Sequence, residues 1–519
     1  MASTSNHPPL LLPNNVLYTT EDPLGLHDDD DDTSGDPVPV LPIITSHLIK
    51  KFESLPVDTP PEALVNAFIT TISDLSYTLH GIPDPNLNVL RSCLLSSPTH
   101  FPAINHIIHA ASKISELFPS GHLPPLTSGE SREYTTFHIS ALLAHQFLLT
   151  LRSPSYNDWG GVNLTSWFSD SDGNVEPKRT YTNIFLDYFS TPPTPPFPST
   201  SFHLLHTPSL PPLIAKTPLA PLTILELPQE SDFPSIPSSS SVSSVAPETT
   251  HTTYIISSHK LIGHGPAATQ EERILASIPE LLPVSTFTPP LEETTALAVT
   301  TSAAHGFVPT SVFTGHGRTA RIDATYNKRK YAENAGREHD EFERIRVNTF
   351  LFLNATELDW IDLPEEQDGR QQPLADFLPG MMEKDVMKAY TGFIGVINSQ
   401  KCGDGHESRK IQRIVTPPWG SGAFGGDVRV KLLIIWVAAS FAAENANGGP
   451  VKLELLFLIK QMVLDTKEIW WKEMIEKLKR SGVGADEVWR ALQQVREQGG
   501  AVVLEAVLKN LGLSVPVLT

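Results

Sequence analysis

"KIQRIVTPPWGSGAFGGDVRVKLL", residues 410–433, decides the fold class. A run rich in β-branched residues leads into four glycines, Gly420, Gly422, Gly425 and Gly426, and then into a continuous apolar stretch. A strand, a glycine-rich loop and a helix in that order form a unit of an α/β domain. In several unrelated folds such a loop cradles a phosphate with its backbone amides. No Gly-Lys-Ser/Thr follows, so the loop is not that of a P-loop nucleotidase.

Outward from this unit the same alternation continues. "PLTILEL" (221–227), "TTYIISS" (252–258), "LPVSTF" (282–287), "TALAVTT" (295–301) and "NTFLFLNAT" (348–356) read as short strands. "MMEKDVMKAYTGFIG" (381–395) and "DVRVKLLIIWVAASFAAE" (427–444) read as helices. The expectation is an α/β domain over 201–475. The segment between the first two strands, rich in serine and proline, reads as a surface insertion. Two amphipathic helices, "IWWKEMIEKLKRSG" and "ADEVWRALQQVREQG", the second starting near Ala485, should pack on this domain within 476–519.

Upstream the period is helical. "PEALVNAFITTISDL", "SALLAHQFLLTL" and "KRTYTNIFLDYF" repeat apolar residues every three or four positions, giving a helical region over 41–200 that ends at "TPPTPPFP" (191–198). Residues 1–40 include "HDDDDDTSGDP", an acidic run that solvates itself and reads as a disordered tail.

A second stretch draws attention to chemistry. "GHGPAATQEERILASIPELL" (263–282) sets a glycine-broken loop before two adjacent acids. Thr269 and Glu272 have the spacing of a capping box, and acids suit the first turn of a helix. The same helix start could hold a sugar or phosphate, because glycines let a ligand approach the backbone and helix-terminal amides bind anions. His316, between two glycines in "FTGHGRTAR", is a weaker ligand candidate, and "NKRK" (327–330) reads as a solvated charged loop or a thin nuclear-import signal.

Composition narrows the class. The 519 residues carry a formal charge of −20, which excludes a generally basic nucleic-acid binder, and no sequence-specific nucleic-acid binding is expected. A polyanion would have to be held by backbone amides and a few local cations. Two cysteines, Cys93 and Cys402, cannot by themselves form a four-ligand zinc site or a disulfide framework, and the nineteen histidines show no metal-ligand spacing. The expectation is no metal and no cofactor. The start of the chain has no secretory pattern, and Val430 to Ala443 is too short to span a bilayer, so no membrane association is expected and the nucleus or cytoplasm is the expected location. Proline, 46 residues or about 9%, points to long irregular connections.

These residues resemble the poly(ADP-ribose) glycohydrolases. "QEERILASIPELL" is similar to the family's Q-E-E helix, and "KAYTGFIG" followed by "WGSGAFGGDVRVKLL" matches its later motifs in order and type. "KISELFPSGHLPPL", "ISALLAHQFLLTL" and "NIFLDYF" resemble its accessory helical region, so the likeness runs from about 100 to 470. It implies a macrodomain-like mixed sheet with flanking helices, preceded by an accessory helical domain. It implies hydrolysis of the ribose–ribose bonds of poly(ADP-ribose) with release of ADP-ribose, acting on the polymer and on ADP-ribosylated proteins.

Carried over by position, Glu272 matches the general acid/base and Glu271 its neighbour on the ribose hydroxyls. Gln270, Gly263, His264, Gly265, His259 and His316 fall at substrate-binding positions, as do Gly420, Gly422, Ala423, Phe424, Gly425 and Gly426 of the diphosphate loop. The chain departs from the family in four places. His264 interrupts its triple glycine, only Pro266 to Thr269 link that loop to the Q-E-E, Ile256 to His259 stand where the family has an Asp-Phe-Ala-Asn run so that its acid is lost and His259 replaces its amide, and His316 replaces a tyrosine. Two alternatives remain from these departures: a macrodomain that binds ADP-ribose without turnover, and a hydrolase of another ADP-ribose linkage.

Overall fold

The computed structural model describes residues 7–26, 37–56, 58–82, 85–153, 161–171, 173–191, 198–211, 216–227, 235–237, 250–301, 307, 313–314, 321–322, 342–344, 347–361, 374–399, 411–460, 467–497 and 503–515. The acidic run, most of the "TPPTPPFP" segment, His316 and "NKRK" lie outside these residues. So does the serine-rich insertion, apart from Ser235–Pro237, which pairs with Phe342–Arg344.

Eight strands form the central sheet: β1 (Ser131–Thr135), β2 (Ser199–His206), β3 (Leu222–Leu227), β4 (Thr250–Ser258), β5 (Thr295–Thr301), β6 (Thr349–Asn354), β7 (Ile411–Thr416) and β8 (Leu453–Lys460). Their spatial order is β1-β2-β5-β6-β4-β7-β8-β3. Pairings among β6, β4, β7, β8 and β3 are parallel, and β1, β2 and β5 join antiparallel along the other side. Gly420, Gly422 and Gly425 share the G-x-G-x-x-G spacing of dinucleotide-binding loops. The antiparallel half of this sheet separates the fold from those domains.

Both faces of the sheet are covered, which explains the nearly unbroken apolar runs in β6 and β8. Alternate residues go to opposite sides. Tyr254, Ile256, Phe350, Phe352 and Leu456 face a core shared with the N-terminal helices, whereas Ile255, Leu351, Leu353, Leu455 and Phe457 face the other. That second core is closed by Met381–Ser399, Val428–Glu444 and the C-terminal helices Ala485–Glu497 and Val503–Asn510. Each large side chain fully buried here contributes roughly 1.5–3 kcal/mol. No helix among the described residues is long and apolar enough to cross a membrane.

The N-terminal helices include Pro61–His80, Phe101–Ser112, Thr136–Phe147 and Val175–Ser190, where the helical period places them. They are packed onto the sheet as one continuous core. The segment read as helical with proline-rich breaks also supplies edge strand β1, whose Tyr134 sits opposite Thr200 of β2. One expected strand is absent. "LPVSTF" forms a helical turn, Val284–Phe287, because every residue of it is buried against neighbours and the Ser285 and Thr286 hydroxyls bond back to Leu282 and Pro283 carbonyls. Local hydrogen bonding of this kind competes with strand formation.

Candidate active site

Because β4, β6 and β7 run parallel as neighbours, the loops that follow them emerge at one edge of the sheet. Ligands of open α/β sheets bind at this carboxyl edge. The β4 loop (259–269) leads to the Gln270–Ser277 helix, the β6 loop spans 355–361, and the β7 loop (417–427) leads to Val428–Glu444.

The Gln270 helix begins with the capping box read from its sequence. Thr269 Oγ1 accepts the Glu272 N–H at 3.4 Å, and Glu272 Oε2 accepts the Thr269 N–H at 2.9 Å. The backbone N–H groups of Ala268 and Ala267 also favour the Glu272 carboxylate, while burial raises its pKa against them. Ala268 is held at φ +57°, a conformation that an alanine adopts only at a cost. Gly265 lies directly against Oε1 of Glu272, and a Cβ there would overlap it. A side chain at 265 would force the end of the Glu272 side chain to shift.

Glu271 is turned to the other side of the loop. Its two oxygens accept the N–H groups of His259 (2.9 Å) and Gly263 (3.1 Å), closing residues 259–263 into a ring on the helix start. Burial, aided by the nearby Glu272 charge, pushes its pKa up to about 8 against these bonds. Gln270 is tied to the sheet: its side-chain oxygen accepts the Ser257 N–H at 3.0 Å, and its amide donates to the Tyr254 hydroxyl at 3.2 Å. Of the two acids of the motif, Glu272 is the one packed against Gly265.

His264 points away from this edge into the N-terminal helices. It is 1% exposed, packs edge-on to Trp167, and donates from Nε2 to the Asn163 carbonyl at 3.1 Å. A carbonyl can only accept, so Nε2 carries the proton. Nδ1 is buried without a hydrogen-bond partner, and burial lowers the ring pKa to about 4. Trp167 in turn donates to the Gly265 carbonyl at 3.3 Å. The residue that interrupts the glycine triplet therefore clamps the acid-bearing loop to the accessory region.

In the β7 loop, Gly420 and Gly425 have φ +73°, which favours glycine. Gly426 backs onto Lys431, and Gly425 onto the Asp359 backbone. Gly422 has open space at its Cβ position, and Ala423 is exposed beside it. The N–H groups of Gly422, Ala423 and Phe424 donate no hydrogen bond within the described residues. Three consecutive unused donors next to a helix N-terminus make a concavity suited to an anion. Asp427 caps that helix by accepting the N–H groups of Arg429 and Val430.

Beneath the loop is a network the sequence reading did not name. Lys431, fully buried, pairs with Asp376 at 3.0 Å and with Asp385, and lies 5.6 Å from the Trp419 ring. Asp376 also accepts the Asp427 N–H at 2.7 Å. Burial alone would pull the Lys431 pKa down, but the two carboxylates hold it above its usual range. A lone lysine in an apolar helix was the available signal, since a buried charge requires partners.

Two links join the loops. Ser257 at the end of β4 accepts the Gly420 N–H at 3.3 Å, and His259 pairs with Glu357 of the β6 loop at 3.1 Å. His259 is thereby occupied by a carboxylate, and His316 lies outside the described residues. The site therefore unites Glu271, Glu272, Gln270, His259, Gly263 and Gly265 with Gly420 through Gly426, and turns His264 away. Among the described residues no group of three or more His, Cys, Asp or Glu is placed to hold a metal ion.

Residues 236–447 match the family model described as poly(ADP-ribose) glycohydrolase (PARG), macro domain fold. The match supports kinship with the poly(ADP-ribose) glycohydrolases over this part of the chain. The matched residues include β4 through β7 and all three loops of the site. Among solved structures, the chain is similar to the Oceanobacillus iheyensis macrodomain with MES bound, at 13% identity and a TM-score of 0.24, over 49% of this chain and 93% of that one. A point mutant of that macrodomain matches at 13% identity and a TM-score of 0.22, over 45% and 91%. The family match and the mixed sheet agree on the macrodomain fold, and they support a hydrolase of the PARG type acting on ADP-ribose.

Proposed function

We propose that the protein is a poly(ADP-ribose) glycohydrolase that cleaves ribose–ribose O-glycosidic bonds and releases ADP-ribose. The observation that carries this reading is that a buried Glu272 and a loop presenting three unused N–H groups, Gly422 to Phe424, follow neighbouring parallel strands at the same edge of the sheet. The loop amides would receive the diphosphate, with Gly422 leaving room for its approach and Phe424 lying beside the terminal ribose. Arg429 is committed to Asp427 and Lys431 to two aspartates, so amides rather than free cations suit the phosphates here.

Glu272 serves as general acid and then base. Burial raises its pKa, which favours the protonated carboxyl that the first step needs. It gives its proton to the leaving 2′-oxygen as the C1″–O bond breaks and positive charge develops on the terminal ribose. The resulting carboxylate takes a proton from water as the water oxygen bonds to C1″, which regenerates the acid. Leaving the capping box for this role costs the helix about 1 kcal/mol, small beside the rate gained. Glu271, held by two backbone amides, would fix the loop and reach ribose hydroxyls only by releasing one of them.

Incubation with poly(ADP-ribose) should release ADP-ribose, and Glu272→Ala should abolish the release. Equal inertness of wild type and variant would sink the proposal. A second reading, binding without turnover, is favoured by one observation: both glutamates are already engaged by backbone N–H groups. Calorimetry with ADP-ribose separates the two, because tight binding without chain cleavage marks a reader.

A further inference from the structure

The β6 loop carries the most exposed large aromatic side chain of the described residues, Trp360, at 81%. Around it the loop is fastened at several points. Thr356 donates to Asp385 at 2.7 Å, Glu357 pairs with His259, and the Leu358 N–H donates to the Phe424 carbonyl at 2.9 Å. Gly425 packs against the Asp359 backbone, and the Ile361 N–H closes a turn on Leu358. Ala355 and Leu358 are buried. Trp360 therefore stands on a firmly held turn, one residue from the contact with the glycine loop and three from the contact with His259.

A tryptophan left in water on a fixed turn forgoes a large burial gain, and Tyr or Trp so placed usually meets a partner. Its neighbourhood says which. The loop touches both sides of the site, Phe424–Gly425 on one hand and His259 beside the acids on the other. The substrate of the reading above is a polymer with a purine in every unit, and its leaving portion must pass the group that protonates it, Glu272. With a formal charge of −20, and with Arg429 and Lys431 beside the glycine loop already paired, the protein has little charge there with which to hold a polyanion. Stacking on an aromatic face needs none.

We propose that Trp360 is a stacking platform for the adenine of the poly(ADP-ribose) unit on the leaving side of the scissile bond, so that it selects polymer over single ADP-ribose. The proposal rests on the glycohydrolase reading and adds to it a second base subsite.

The test compares ADP-ribose with short purified poly(ADP-ribose) chains by calorimetry, in a Glu272→Gln background so that chains are not consumed. Trp360→Ala should weaken chain binding about tenfold or more while leaving ADP-ribose binding unchanged, and Trp360→Phe should restore most of it. With active protein, Trp360→Ala should raise KM for chains more than it lowers kcat. Equal affinities of wild type and Trp360→Ala for chains, or an equal loss for chain and monomer, would overturn the subsite. Failure of wild type to release ADP-ribose would overturn the hydrolase reading instead, while the chain-to-monomer affinity ratio would still report on Trp360.

Discussion

Glu272 lies so close to Gly265 that a Cβ added at position 265 would displace Oε1 of the carboxylate. The acid and this glycine are thus one packing unit, although seven positions separate them in sequence.

Gly265→Ala should therefore act on the acid itself. Overpacking costs typically 1–3 kcal/mol, and the carboxylate must leave its place. ADP-ribose release should fall by at least tenfold while the circular dichroism spectrum stays native. Undiminished release would show that the observed position of Glu272 is not the one used in turnover.

Glu272→Gln and Glu272→Ala should differ in stability and agree in activity. Glutamine keeps an acceptor for the Thr269 N–H, whereas alanine loses the capping box, a loss of about 1 kcal/mol. Neither can exchange a proton, so both should lose about 10²-fold or more in kcat. Urea unfolding and a product assay on the same samples check this, and an active glutamine variant would count against proton transfer.

Glu271 and His264 tilt stability in opposite directions with pH. The Glu271 pKa is raised to about 8, so between about 4.5 and 8 the folded protein binds more protons than the unfolded chain, and this group's contribution falls as pH rises. Glu271→Gln should flatten that decline in midpoints of urea unfolding measured from pH 5 to 8. An unchanged slope would mean that its carboxyl titrates normally.

His264, lowered to about 4, does the reverse: between about 6.5 and 4 the unfolded chain binds the extra proton, and stability is lost as pH falls. His264→Gly should remove part of that acid sensitivity, and it also empties the Trp167 contact, so unfolding at pH 7 should come earlier by about 1–3 kcal/mol. If the contact also positions the acid, kcat falls in this variant without a matching rise in KM.

Lys431→Met should be among the most damaging single changes. It leaves Asp376 and Asp385 buried with no cation, and breaking such a network costs about 3–5 kcal/mol. A drop in melting temperature of roughly 3–5 °C, read by calorimetry, is expected; an unchanged melting temperature would show that the aspartates are readily neutralised.

Several of these features could be read from the chain alone. The β-branched runs of β4 through β7, the capping box at Thr269 and the Asp427-led helix are local signals, and local chemistry placed them correctly. Edge strand β1, its neighbour β2 and the buried strand β8 were not read, and Val284–Phe287 was read as a strand. Those outcomes depend on which neighbours are available, since an edge strand forms only where a sheet offers an open ladder. Glu357, Ser257 and Trp360 carry no motif, and their place in the site comes from the parallel order of β4, β6 and β7.

By itself the sequence determined the alternating α/β pattern, the glycine loop and the adjacency of two acids at a helix start, because each depends on residues within a few positions of one another. Only the tertiary structure decided what those residues face. It turned Glu271 onto the His259 and Gly263 amides, set Glu272 against Gly265 and buried His264 against Trp167. Adjacent residues on a helix point about 100° apart, so spacing fixes that two side chains diverge. What each one meets depends on packing between segments that lie about a hundred residues apart, as with Trp167 and His264.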